Sequence, residues 1–222
     1  MNISLTEDDD NKNEEIKAVS LLELKPFAEQ PFKVLIDEDM NELVESIQQS
    51  GVLSPIIARP HKDGGYEILS GHRRVKACEL AGIKEVPVII KNIDDDTATI
   101  LLVDSNLQRE NILPSEKAYA YQMKLAAMKR KAGRPTKENH VQIGHNLTEK
   151  TSREEFSKEI GESPTQVQRY IRLTNLIDPI LDMVDNKQIA MNAAVEISYL
   201  GSKEQFDVLK TIESEETSPT IE

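Results

Sequence analysis

The sequence predicts a small α+β domain followed by an all-helical domain that contains a helix-turn-helix. Three observations carry this prediction. Short apolar runs between Val19 and Ile90 are punctuated by Gly51, Pro55, Gly64-Gly65, Gly71 and Gly82. From Asp94 onward, apolar residues recur instead at spacings of three and four. Two short helical segments then flank Gly161-Glu162-Ser163. The expected division is a disordered acidic arm (1–18), an α+β domain (19–112), a helix and basic linker (113–150), a helix-turn-helix domain (151–212) and an acidic tail (213–222).

The elements follow in order. Residues 1–18 are polar and acidic with little periodicity, as in a disordered arm. Val19 to Leu22 is a short strand candidate. Asp39 to Gln49 is helical, with Met40, Leu43, Val44 and Ile47 on one face and Gly51 as its stop. Ser54 to Arg59 and Tyr66 to Leu69 are strands joined by the hairpin signal Asp63-Gly64-Gly65. A helix runs from Ser70-Gly71-His72 to about Leu80, with Ala77, Leu80 and Ala81 inward, and Val86 to Ile90 is another strand. Helices are expected at 94–105 and 115–131, and residues 133–150, low in hydrophobic content, are expected to form a loop. Ser152 and Glu155 form a capping-box pattern that starts the next helix. Pro164 stands at the first position of the helix after it, where its missing amide costs nothing. Further helices are expected at 179–184, 192–200 and 203–212.

Composition excludes several classes. One cysteine, Cys78, rules out a disulfide framework and any multi-cysteine metal site. The apolar run Val86 to Ile90 is far short of the roughly 20 residues of a membrane span. An acidic start is unlike a secretion signal, so a cytoplasmic, DNA-associated location is expected. The net charge of −12 opposes a polyanion on average, but the charges are segregated. Residues 1–106 hold 11 bases and 21 acids, residues 107–175 hold 13 and 8, and residues 176–222 hold 3 and 10. Charges beyond about 10 Å are largely screened in physiological salt, so a net +5 in the middle stretch can still attract DNA.

The segment around Gly161 has the form of a DNA-reading helix pair. Gln pairs bidentately with adenine and Arg with guanine in the major groove. Thr165, Gln166 and Arg169 are the preferred base readers, with Arg172 against the backbone and Gln168 pointing in a different direction from Gln166. An ordinary helical hairpin with a solvated face has the same pattern. Lys129, Arg130, Lys131, Arg134 and Lys137 form the densest basic patch, suited to phosphates or simply to a hydrated linker.

Ser70-Gly71-His72-Arg73-Arg74-Val75-Lys76 places a glycine at a helix start, where unpaired amides and guanidinium groups can meet an anion. A salt-bridged surface helix is the alternative. Asn106-Leu107-Gln108-Arg109-Glu110 is a polar cluster that could complete an anion pocket or cap neighbouring helices. Cys78 reads as a small core residue, His140 and His145 as solvent-exposed, and Asp94-Asp95-Asp96 as an acidic helix start.

Gly51 to Arg59, then Gly71-His72-Arg73-Arg74, then Asn106 to Glu110, then the helix-turn-helix, resemble the ordered motifs of the ParB partition proteins over about Val19 to Leu200. The resemblance implies a ParB/sulfiredoxin-like N-terminal domain and a sequence-specific centromere-binding protein of chromosome or plasmid partition, working as a CTP-dependent clamp. Carried over, Ser54, Pro55 and Ile56 match the first nucleotide-contacting motif. Gly71, Arg73 and Arg74 match the phosphate box, with His72 standing inside it, and Asn106 and Arg109 fall in the third motif. Asn106 and Glu110 would then face magnesium. A homodimer through the N-terminal domain and a ParA-like ATPase are the implied protein partners. Three departures stand out: His72 replaces the family's Glu, Lys76 its following Arg, and Ser105 the Glu that helps to hold magnesium. CTP hydrolysis is therefore expected to be weak at most. Only about twenty residues follow Leu200, where the usual C-terminal dimerisation domain is hard to find, as expected of a truncated or a naturally short member. The alternative is a DNA-binding regulator or adaptor whose N-terminal domain no longer uses nucleotide. The same fold resembles sulfiredoxin, but no catalytic Cys stands beside the His-Arg pair, and nothing supplies a nuclease's converging carboxylates.

Overall fold

The computed structural model describes residues 15–28, 30–109, 111–133 and 145–215. Expectations for residues 1–14, Glu110, Arg134, Lys137, His140 and residues 216–222 lie outside them, as does the side chain of His145. Contacts divide the chain into two units. The first takes residues up to 29 and 34–94, and the second takes 30–33 and everything from 95 onward.

In the first unit the described strands form one sheet, ordered β1-β5-β3-β4-β2. They are β1 (Ile16–Ser20), β2 (Leu24–Lys25), β3 (Ile56–Pro60), β4 (Tyr66–Ser70) and β5 (Glu85–Ile90). β3 and β4 pair antiparallel across the Gly64-Gly65 turn, and β3 and β5 pair in parallel. The first strand corrects the expected arm, because Ile16 to Ala18 pair antiparallel with Ile89 to Pro87. Ile16 is exposed, so a backbone ladder rather than apolar burial recruits these residues, and hydropathy gave no sign of it. The strand also stops earlier than expected, at Ser20, whose hydroxyl accepts from the Leu22 amide and opens a 3₁₀ turn.

Helix α1 (Glu38–Ser50) begins where the Asp37 carboxylate accepts from the Met40 amide at 2.9 Å, and it stops at Gly51. It buries Met40 and Ile47. Helix α2 (His72–Leu80) buries Val75, Ala77 and Cys78, whereas Leu80 is 48% exposed and not inward as expected. At about 100° per residue, Leu80 falls on the side opposite the stripe of Val75, Ala77 and Cys78.

The second unit is helical. Helix α3 (Asp95–Leu107) belongs to it, although the sequence groups this segment with the strands. The reason is apolar: Val103 packs with Phe32 and with Ala120 of α4 (Pro114–Ala132). Asp104 meets Lys124 while Asp96 meets Arg130, so α3 and α4 run antiparallel. The buried Glu116 accepts from the amides of Lys33 at 2.7 Å and Leu113 at 3.1 Å, closing the first turn of α4.

Helix α5 (His145–Ile160) starts inside the segment expected to be a loop. Ser152 is therefore mid-helix and buried, and the Ser152/Glu155 capping box does not form. After the turn come α6 (Pro164–Arg172), α7 (Asp178–Asp185), α8 (Met191–Ile197) and α9 (Ser202–Glu215), the last extending past the expected start of the tail. Leu173, Ile180, Ala194 and Ile197 share one core there. Ser115 fastens α4 to α7 by donating its amide (2.9 Å) and hydroxyl (2.5 Å) to the Asp185 carboxylate.

Candidate nucleotide-binding turn and nucleic-acid interface

At the end of β4 the chain turns through Gly71, which has φ +106°. A Cβ there would lie 2.7 Å from Ile56 Cδ1 and 3.1 Å from Arg74 Nη2, so both side chains occupy space that only glycine leaves. Helix α2 has neither a capping side chain nor an acid in its first turn, so its leading amides carry uncompensated positive character. Arg74 Nη1 donates to the Ser54 carbonyl at 2.5 Å and the Pro55 carbonyl at 2.7 Å. The first two motifs are thus brought together, with Arg74 as the clamp and with Ser54 exposed beside the buried Ile56. Partial burial pulls the Arg74 pKa below its usual value, and the Cys78 sulfur opposes that. Arg73 binds Asp37 at 3.1 Å, which holds that carboxyl below the usual carboxylate range.

His72 takes a different course from its neighbours. Its Nε2 accepts from the Phe27 amide at 3.5 Å. Burial lowers its pKa to about 4, although the Glu67 carboxylate pulls the other way. Glu67 is itself buried and held by Arg59 through Nε (2.7 Å) and Nη2 (2.6 Å), with the Ala28 amide at 3.3 Å. The residue that departs from the expected Glu is therefore a neutral acceptor within the fold.

In the second unit, the last turn of α3 carries the third motif. Asn106 Nδ2 donates to the Leu102 carbonyl at 2.8 Å, and Ser105 Oγ donates to the same carbonyl at 2.9 Å. Arg109 follows just after the helix, its amide donating to the Asn106 carbonyl at 3.1 Å. Among the described residues, no three His, Cys, Asp or Glu side chains converge as a metal site.

The helix pair is built on α4. The Tyr121 ring meets Phe156 of α5 and Tyr170 of α6 edge-on, with centroids 5.1 and 5.5 Å apart. Lys124, only 1% exposed, joins Asp104 of α3 to Glu159 of α5 (2.8 Å) and lies over the Phe156 ring. Ser163 Oγ accepts from the Gln166 amide at 3.1 Å, and Pro164 opens α6 as expected. Val167 is buried, Thr165 is exposed, and Gln166, Gln168, Arg169 and Arg172 are half-buried.

Two of the expected DNA contacts on α6 have side-chain partners within the unit. Arg169 donates to the side-chain oxygen of Asn192 on α8. Arg172 donates to the Ser198 carbonyl (2.6 Å) and hydroxyl (3.3 Å) and stacks 3.9 Å from the Tyr199 ring centroid. Asn192 and Tyr199 were not singled out by the sequence, since neither lies in a motif and only the tertiary fold brings α8 to α6. At the end of α4, Arg130 pairs with Asp96 at 2.6 Å and Lys131 donates to Thr97 at 3.0 Å.

Comparison with known proteins also finds two regions, but places the boundary after α3 rather than before it. The ParB N-terminal domain family matches residues 5–107, and the ParB HTH domain family matches residues 143–219. A probable chromosome-partitioning protein ParB of Vibrio cholerae is 32% identical over 198 residues, 89% of this chain and 60% of that protein. A nucleoid occlusion protein of Bacillus mycoides is 33% identical over 90% of this chain and 62% of its own length. The chain thus spans about three fifths of the length of these curated relatives. The crystal structure of the C-terminally truncated chromosome-partitioning protein ParB from Caulobacter crescentus, complexed to the centromeric parS site, shares the fold. Its TM-score is 0.50 at 24% identity, covering 88% of this chain and 90% of that one.

Proposed function

The chain belongs to the ParB partition-protein family, and from that premise we propose that it is a sequence-specific, centromere-binding DNA protein of chromosome or plasmid segregation. The observation that carries this reading is α6, a helix capped by Ser163 and opened by Pro164. It is anchored to α4 through Tyr170 and carries Thr165, Gln166 and Arg169 away from Val167. Arg169 is the preferred base reader, and Thr165 and Gln166 stand at the helix start, where a groove-entering helix meets base edges. The basic run Lys129-Arg130-Lys131 supplies nearby positive charge. Footprinting on the host replicon recovers the site. Arg169→Ala should then lower affinity for it by roughly 1–3 kcal/mol and alter the preferred base. An equal loss on recovered and random duplexes at matched salt would refute base reading.

The family resemblance further supports binding of CTP by Ser54 to Ile56 and Gly71 to Arg74, with Asn106 and Arg109 contributing. The residues of the first unit fit an anion: a glycine turn, an uncapped helix start and two guanidinium groups. Magnesium would meet Asn106 and Glu110, with Ser105 a poor substitute for a carboxylate. Bound CTP would supply the switch of the clamp, and slow or absent turnover follows from Ser105. Titration with CTP, GTP and ATP, with and without magnesium and in the presence of the DNA site, tests this. No binding of any nucleotide at millimolar concentration would leave the adaptor reading. One observation favours that second reading: His72 and Arg74 of the phosphate box already serve backbone groups of the fold. Self-association through the N-terminal domain, a ParA-like ATPase partner and a cytoplasmic location complete the proposal. No described helix is long and apolar enough to cross a membrane.

A further inference from the structure

We propose that Arg172 is a positioning residue of the DNA-reading helix, which it fixes in place through the turn after α8, and that it makes no phosphate contact of its own. The inference rests on the reading of α6 as the DNA-facing helix. Arg172 is the last residue of α6, one turn beyond Arg169. Its Nη2 donates to the Ser198 carbonyl at 2.6 Å and its Nε to the Ser198 hydroxyl at 3.3 Å, while the guanidinium lies 3.9 Å from the centre of the Tyr199 ring. Ser198 is itself buried, and its hydroxyl donates to the Val195 carbonyl at 2.6 Å, so the acceptor is rigid. The planar fork is thereby saturated on one edge and covered on one face, an arrangement that an ammonium group cannot reproduce. This clamp ties the end of α6 to the turn after α8 without Arg169, whose contact with Asn192 gives way when that side chain reads a base. A helix held at its end presents its side chains in one orientation, and base discrimination depends on orientation more than nonspecific attraction does.

Tyr199 is the telling partner. It is 64% exposed, so its ring adds little to the core and is available to serve as a platform for the guanidinium. The test uses the full chain on its footprinted site and on a random duplex over a range of salt. Arg172→Lys, Arg172→Gln and Tyr199→Leu should each lower affinity for the specific site about tenfold. Binding to the random duplex should stay within about twofold, and the salt slope should not change. Tyr199→Phe should behave as wild type, and Arg172→Gln with Tyr199→Leu should be no worse than either alone, because both break one clamp. Rescue by Arg172→Lys would overturn the proposal in favour of a phosphate contact. So would a slope that falls by roughly 0.9 with equal loss on both duplexes. If Arg172→Gln lowers the melting temperature enough to obscure binding, Tyr199→Leu decides: full specificity without the ring refutes the clamp. Failure of the underlying reading looks different, since the wild type itself would then fail to prefer its site over the random duplex.

Discussion

The phenol of Tyr121 donates to Glu162 at 2.9 Å, so the middle of α4 holds the turn that launches α6. Burial pushes the phenol pKa well above its usual value, and the Glu162 carboxylate pushes it further, so Tyr121 remains a donor throughout the physiological range. Lys117 reaches the same Glu162 oxygen at 3.3 Å and lies above the Tyr170 ring. Tyr121→Phe keeps both edge-on ring contacts and removes only the hydrogen bond. It should cost about 1 kcal/mol of stability in urea unfolding, with the m-value unchanged. A loss of several kcal/mol would mean that the phenol has a larger role than one shared bond.

His72 predicts an acid limb in the stability of the first unit. Its folded pKa is about 4 against an ordinary 6.5. Below 6.5 the unfolded chain takes up a proton that the folded chain refuses until about pH 4, so the unfolded state binds more protons in that window. Stability should therefore be full above 6.5 and fall as the pH drops towards 4, by up to about 1.4 kcal/mol per pH unit. His72→Gln retains an acceptor for the Phe27 amide and should flatten that limb. An unchanged pH profile in the variant would assign the acid sensitivity to other groups.

Arg74 should matter to the fold as well as to any ligand. Removing it strands the carbonyls of Ser54 and Pro55. Arg74→Ala should cost roughly 1.5–3 kcal/mol, towards the lower end because Ser54 is exposed and its carbonyl can rehydrate. Arg74→Lys should restore less than half, since the shorter side chain leaves its nitrogen short of the place where Nη1 meets both carbonyls. Thermal unfolding without nucleotide measures this separately from binding.

The basic end of α4 gives a graded expectation. If Lys129, Arg130 and Lys131 each rested wholly on a phosphate, neutralising all three would lower the salt slope of DNA binding by roughly 2.7. Because Asp96 holds Arg130 and Thr97 holds Lys131, the triple variant should lower it by less. The full drop would mean that these side chains leave their partners for DNA.

Which parts of this were legible in the sequence follows from range. The Asp63-Gly64-Gly65 hairpin and the Ser163-Pro164 start are decided by local backbone chemistry, and both lie where the residues predict them. The false capping box at Ser152 is a local signal overridden because α5 already runs from His145. Ile16 to Ala18 escaped notice because a strand recruited by an edge ladder needs no apolar pattern. Least legible were the arginines. Arg74 and Arg172 look like ligand-binding charges in sequence, and only the fold reveals that backbone carbonyls lie within their reach.

Cys78 has a practical consequence. It is the only cysteine of the chain and its side chain is fully enclosed in the core of the first unit. Burial also raises its pKa, which keeps it as the unreactive thiol. A thiol-specific reagent can therefore modify the native protein only in the moments when that core opens, so the labelling rate is a clock for opening. Any molecule that grips the closed unit stretches the clock by the factor 1 + [L]/Kd. The helix that houses Cys78 begins at the Gly71 turn. A nucleotide seated there would announce itself as slowed alkylation, with no dye, tag or radiolabel added to the protein.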